Sequence, residues 1–196
     1  MKRDNFFIQL LKCYLNLFFG FIMCFMLSMT IMVFNGYTLI TIIIQIFCLA
    51  IILLLLGNYA WKDGKNEIKL TQTYGLSPVS PFRWWGLGLM TALPYEILCG
   101  LLILSKLNIW VPQEFGTAYK ILADVFLPLT AMFAKPAAAV SETATSVAHS
   151  SDYPWWLIAV LGILPLLIPV TMAITHKVSF SDKVSADTVV YKDIKK

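Results

Sequence analysis

"LITIIIQIFCLAIILLLLG", residues 39–57, decides the fold class. The run carries no charge, and Thr41 and Gln45 are its only strongly polar side chains. A helix needs about 20 apolar residues to cross a ~30 Å hydrocarbon core, at ~1.5 Å of rise per residue. A strand this long and this uniformly apolar has no use in a small domain. The stretch therefore reads as a membrane-spanning helix.

The rest of the chain agrees. It has 196 residues, of which 59% are hydrophobic and 13% charged, where an ordinary soluble domain is near a quarter charged. One small core could not hide that much apolar surface, so lipid must solvate the remainder. Going outward from 39–57, "FNGYT" (34–38) is a turn, and a first segment at 13–34 precedes it. Together with the second segment at 37–57 it forms a helical hairpin. Lys2 and Arg3 followed by an apolar run resemble a signal peptide, but the run is too long and Lys12 interrupts it. It is expected to stay as a first helix.

A polar stretch at 58–83 follows, containing Pro78 and Pro81, and is expected to be a loop. Trp61, Trp84 and Trp85 bracket it, as interfacial indoles do. A third span covers 84–105. Residues 115–134 place Phe115, Tyr119, Leu122, Phe126, Leu129 and Phe133 at helical spacing, with Thr117, Lys120 and Asp124 on the other face. That predicts an amphipathic or re-entrant helix, bent at Pro128, with Lys120 and Asp124 paired one turn apart. The Ala/Ser/Thr-rich stretch 135–152 reads as an exposed loop. A last span at 153–175 carries Pro165 and Pro169, which predict a kink, and a polar tail closes the chain at 176–196.

Charge counting chooses between four and five spans, because basic residues concentrate on the cytoplasmic side. With four spans and both termini inside, twelve Lys and Arg lie inside against Lys106, Lys120 and Lys135 outside. If 115–134 also crossed, the split would be eight to six, with Lys120 in the membrane. The expectation is a single all-α membrane domain of four full spans plus one amphipathic or re-entrant helix, in the cell membrane, with both termini cytoplasmic. The alternative is five transmembrane helices.

The motifs "WKDG" (61–64), "GLGLMTALPYEILCGLLILSKL" (86–107) and "VVYKDIKK" (189–196) carry a resemblance. They resemble a family of small multi-pass bacterial integral membrane proteins with no assigned activity. In that pattern a Trp-Lys/Glu-x-Gly turn follows the second helix, a Gly-Leu-rich third helix carrying Pro-Tyr comes next, as at Pro94-Tyr95, and then a Tyr-basic helix, as at Tyr119-Lys120. Arg83 and Trp84 replace the family's usual basic approach to that helix, and the 135–152 insert is particular to this chain. The resemblance implies an integral membrane protein and no particular activity.

Chemistry-bearing residues are few. Glu96 falls near the middle of the third span, two residues after Pro94, which frees the Met90 carbonyl. Acids at such depth face a bundle interior or a cavity and are functional candidates. The plainer reading is a protonated carboxyl bonded to a neighbour such as Asn16, Gln45 or Thr41. Lys120 and Asp124 join Glu96 as the candidate intramembrane polar site, the sharper reading being that Lys120 reaches Glu96. Cys13, Cys24, Cys48 and Cys99 lie singly in apolar segments and read as packing residues, with no metal or cofactor implied. His149 and His176 have no partner at ligand spacing. No HExxH, GxSxG or Walker A motif occurs, which argues against an enzyme. The basic residues suit lipid headgroups rather than nucleic acid. The chain is thus expected to be a non-enzymatic accessory or subunit of a membrane assembly, touching lipid and other membrane subunits. The alternative is a small transporter or substrate-binding membrane component that uses Glu96.

Overall fold

The computed structural model of the chain describes residues 4–33, 38–75, 77, 80, 82–134 and 149–193. The elements run α1 (Phe6–Val33), α2 (Thr38–Tyr74), α3 (Phe82–Lys106), α4 (Phe115–Leu122) and α5 (Leu127–Phe133), then α6 (Trp155–Ile163) and α7 (Leu167–Asp193). Short 3-10 turns lie at Asp124–Phe126, Ser150–Asp152 and Leu164–Leu166. No strand occurs among the described residues, and the fold is an all-α helical bundle. Among the described residues four stretches are long and apolar enough to cross a membrane: Phe6–Met29, Leu39–Tyr74, Phe82–Lys106 and Trp155–Ser181. α4 and α5, of eight and seven residues, reach about 12 Å at most and are too short to cross.

α1 buries small and polar side chains and turns large apolar ones outward. In α1 the buried residues are Gln9, Cys13, Gly20, Cys24 and Ser28, spaced by four or seven, while Phe7, Leu11, Phe18 and Met26 are exposed. A soluble helix does the reverse. The pattern suits packing in lipid, where close approach of small residues replaces the hydrophobic effect as the source of association.

Contacts divide the chain into two compact units. The first comprises Met1–Leu17, Leu53–Ala92 and Leu167–Lys196. Glycines set its packing. A Cβ on Gly88 would lie 2.3 Å from the Pro169 Cα, so α3 meets the backbone of α7 there only because the side chain is missing. Gly64 likewise lets α2 lie against the His176 carbonyl and Ser179, 3.0 Å from where its Cβ would be. Beside it the Ser179 hydroxyl donates to the Trp61 carbonyl at 2.7 Å.

The second unit comprises Phe18–Ile52 and Leu93–Leu166. Here the connection after α3 folds back on the ends of its helices. Ser105 donates to the Pro112 carbonyl at 2.6 Å and bonds the Ser150 hydroxyl at 2.8 Å, and the Tyr153 hydroxyl donates to the Gly116 carbonyl at 2.8 Å. Tyr119 stands edge-on to Tyr153 and Phe133 edge-on to Trp156.

Several boundaries differ from the expected ones. The 58–83 loop is helical as far as Tyr74, because Ala60, Gly64, Glu67 and Ile68 are buried at helical spacing while Lys62, Lys65 and Lys69 stay exposed. Nothing breaks the helix before Gly75, whose φ of +63° is the left-handed stop that glycine supplies. The tail expected from 176 is helical through Asp193. α1 starts at Phe6, not near Cys13, because Lys12 lifts its ammonium to Asp4 instead of ending the helix.

The 115–134 segment is not one helix. α4 stops at Leu122, and α5 begins only after the 3-10 turn at Asp124–Phe126. The break rotates the faces, so Phe126 is buried as expected but Leu122 is 52% exposed. It also ends the helical register in which Lys120 and Asp124 were to pair. Gln45 bridges the break. Its Nε2 donates to the Val125 carbonyl at 3.1 Å, and its Oε1 accepts from the Leu129 N–H at 3.3 Å. A continuous helix would join those two backbone groups to each other. The turn at 34–37, the 135–148 part of the expected loop, residues 194–196 and the Asp124 side chain lie outside the described residues.

Candidate functional site

Glu96 sits about 21 Å along the ~37 Å of α3, near the middle of that candidate span. Pro94 brings no N–H to the Met90 carbonyl, and the Tyr14 hydroxyl of α1 donates to that carbonyl instead, at 2.6 Å. The proline break is therefore satisfied from a neighbouring helix. Glu96 is not satisfied. Its Oε1 is buried without a hydrogen-bond partner, and the carboxyl makes no hydrogen bond or ion pair among the described residues. Asn16 and Gln45, two expected partners, bond elsewhere: Asn16 to the Lys12 carbonyl and Gln45 at the α4–α5 break.

Glu96 opens into a pocket of about 450 Å³ between α3 and α6. Gly100 and Ile103 line the α3 side, and Trp155, Ala159 and Gly162 the α6 side. The hollow exists because these helices are glycine-bearing where they face each other. A Cβ on Gly100 would meet nothing within 4 Å, and one on Gly162 would touch only the Cys99 sulfur at 3.6 Å. The rim is open, with Ala159 exposed and Trp155 half-exposed.

The other candidate residues do not join Glu96. Lys120 donates to the Ala134 carbonyl at 3.1 Å. Burial holds its ammonium below the ordinary lysine range, partly offset by Asp152. Lys106 donates to the Ser151 carbonyl at 3.2 Å and to the Tyr153 carbonyl, and lies 5.2 Å above the Trp155 ring. Both described lysines of this unit are thus committed to backbone carbonyls. Burial raises the Tyr119 and Tyr153 phenols above their usual range, so both are neutral donors at ordinary pH.

The first unit holds a polar cluster that sequence reasoning missed. Gln9 of α1 donates from Nε2 to both carboxylate oxygens of Asp63, at 3.2 Å each. His176 of α7 brings Nε2 to 4.0 Å from the Asp63 Oδ2, and its ring stacks on Trp84 of α3 at 4.8 Å. Tyr59, one turn before Asp63, contacts the other side of the Trp84 environment at 5.9 Å. Expecting a loop at 58–83 and a tail from 176 hid this cluster. The signal that was available is the spacing of Tyr59, Asp63 and Glu67, which puts them on one helical face.

The four cysteines are buried and in no disulfide; Cys24 donates to the Cys48 carbonyl and Cys99 to the Ile158 carbonyl. Among the described residues no group of three His, Cys, Asp or Glu could hold a metal. Comparison of the chain with known protein families, with curated proteins and with solved structures finds no match.

Proposed function

We propose that this chain is a multi-pass protein of the cell membrane, with both termini cytoplasmic, that binds a ligand within the membrane at Glu96 as a non-enzymatic substrate-binding component. One observation carries the reading: Glu96, whose Oε1 is buried at mid-span without a hydrogen-bond partner, lines a 450 Å³ pocket that is otherwise apolar. Binding sites have this size and this character, largely apolar with a few polar groups that fix orientation. A carboxyl kept only for packing would have a donor beside it, since an unmet polar atom in hydrocarbon costs several kcal/mol.

The test is co-purification. The protein is extracted with its surrounding lipid into polymer-bounded discs, and small molecules released from it are compared by mass spectrometry. A species present with wild type and lost with Glu96→Gln and with Gly100→Leu is the expected result. Identical contents in all three would sink the reading.

A second reading, a subunit of a larger membrane assembly, is favoured by Trp110. This residue is 98% exposed and held at φ +59°, a left-handed conformation that costs a bulky side chain about 1–3 kcal/mol. A ring displayed at that cost suits a contact outside the chain.

A further inference from the structure

We infer that the Glu96 pocket takes a lipophilic primary ammonium ion, with its charged head at Glu96 and an apolar body of about 10 Å lying toward Trp155. The inference rests on the reading of the pocket as a ligand site and names the class of ligand.

Charge comes first. Among the described residues of its unit no cation meets Glu96, since Lys106 and Lys120 both bond backbone carbonyls. Its Oε1 lacks a donor. An ammonium group on the pocket side of the carboxyl supplies the opposite charge and up to three N–H donors, in a charge-assisted bond stronger than a neutral one. A neutral ligand would supply only the donor. An anion would face a carboxyl in an apolar surround.

Shape comes next. The α3 wall runs from Glu96 to Ile103, two turns, which is about 10 Å at ~1.5 Å per residue. The facing α6 wall runs from Gly162, beside Cys99, to Trp155. Gly162 thus lies near the carboxyl end and Trp155 at the far end. Between them the lining is aliphatic or glycine. A ligand with one charged end and an aromatic or branched apolar end fits this polarity in one orientation only. Trp155 gives the apolar end a flat ring to lie against, worth something beyond area burial. Lys106, 5.2 Å from the centre of that ring, places positive charge at the Trp155 end and so disfavours the reversed pose.

The test uses three probes of nearly equal size: 4-phenylbutylamine, 4-phenylbutanol and 4-phenylbutyrate. Each is titrated calorimetrically into the full chain in lipid nanodiscs, with empty nanodiscs subtracted. The amine is expected to bind at least tenfold more tightly than the alcohol, and the acid not measurably. Glu96→Gln should remove the amine's advantage over the alcohol. Gly100→Leu, at a position where a Cβ meets nothing within 4 Å, puts a side chain into the hollow and should abolish binding of both. If amine and alcohol bind equally and both need an open Gly100, the pocket is a ligand site but the ammonium assignment is wrong. If no probe binds above the empty-disc background, both the assignment and the site reading fall. Should Glu96→Gln not fold, the wild-type amine-to-alcohol ratio and Gly100→Leu still decide the matter.

Discussion

Two side chains of α3 show how a polar atom is treated in this fold. The Met90 carbonyl, freed by Pro94, is met by Tyr14 at 2.6 Å. Tyr14→Phe removes that donor and should cost about 1 kcal/mol, the size of interhelical polar contacts in membranes. Thermal unfolding in detergent checks it, and an unchanged midpoint would show that the carbonyl finds another donor. Glu96 is the opposite case. It has no partner to lose, so Glu96→Leu should stabilise the empty protein, on the order of 1 kcal/mol, by removing an unmet polar atom. Glu96→Gln should leave stability unchanged. A clear loss with Glu96→Leu would mean that a donor meets this carboxyl in the membrane.

At the scale of elements, helix ends and helix contacts depend on single residues. Gln45 stands between two backbone groups at the α4–α5 break. Gln45→Leu strands both and should cost about 1–3 kcal/mol. Hydrogen exchange at Leu129 is the local readout, and unaltered protection there would show that the bridge is dispensable. Glycine gives a paired test. Gly88→Ala drives a methyl to within 2.3 Å of the Pro169 backbone and should destabilise by about 1–3 kcal/mol. Gly86, two residues earlier, has open space around a Cβ, so Gly86→Ala should be neutral or gain up to ~1 kcal/mol of helix propensity. Equal effects from the two would refute the close approach. The element boundaries that sequence missed share a cause. The charged residues at 58–74 suggest a loop by their polarity, whereas their spacing alternates a buried and a basic face, and the period decides.

For the whole molecule, the open question is orientation. The charge count places the 107–114 connection outside and residues 75–81 and the tail inside. Single cysteines at Ser80 and Ser185 should resist a membrane-impermeant maleimide in intact cells, whereas one at Glu114, which is exposed, should label. Background is low, because Cys13, Cys24, Cys48 and Cys99 are all buried. Labelling at Ser185 from outside would overturn the four-span arrangement.

The sequence alone determined the class: runs such as 39–57 are too long and too apolar for anything but spanning helices, and that follows from hydrocarbon thickness and helix rise. It also determined that Glu96 is at mid-span and that Met90 is freed, because both follow from counting along one helix. Whether Glu96 has a partner was decided only in three dimensions. Lys120, Asn16 and Gln45 were all plausible by composition, and their actual bonds depend on where α4 breaks and which carbonyl lies nearest. The pocket at Gly100 and Gly162, and the joining of Gln9, Asp63, Trp84 and His176, bring together residues up to 167 positions apart in the chain, counting from Gln9 to His176. Periodicity reports which face of a helix is apolar. It carries no information about which other helix that face will meet, because in lipid the pairing is set by close packing of small side chains and not by hydrophobicity.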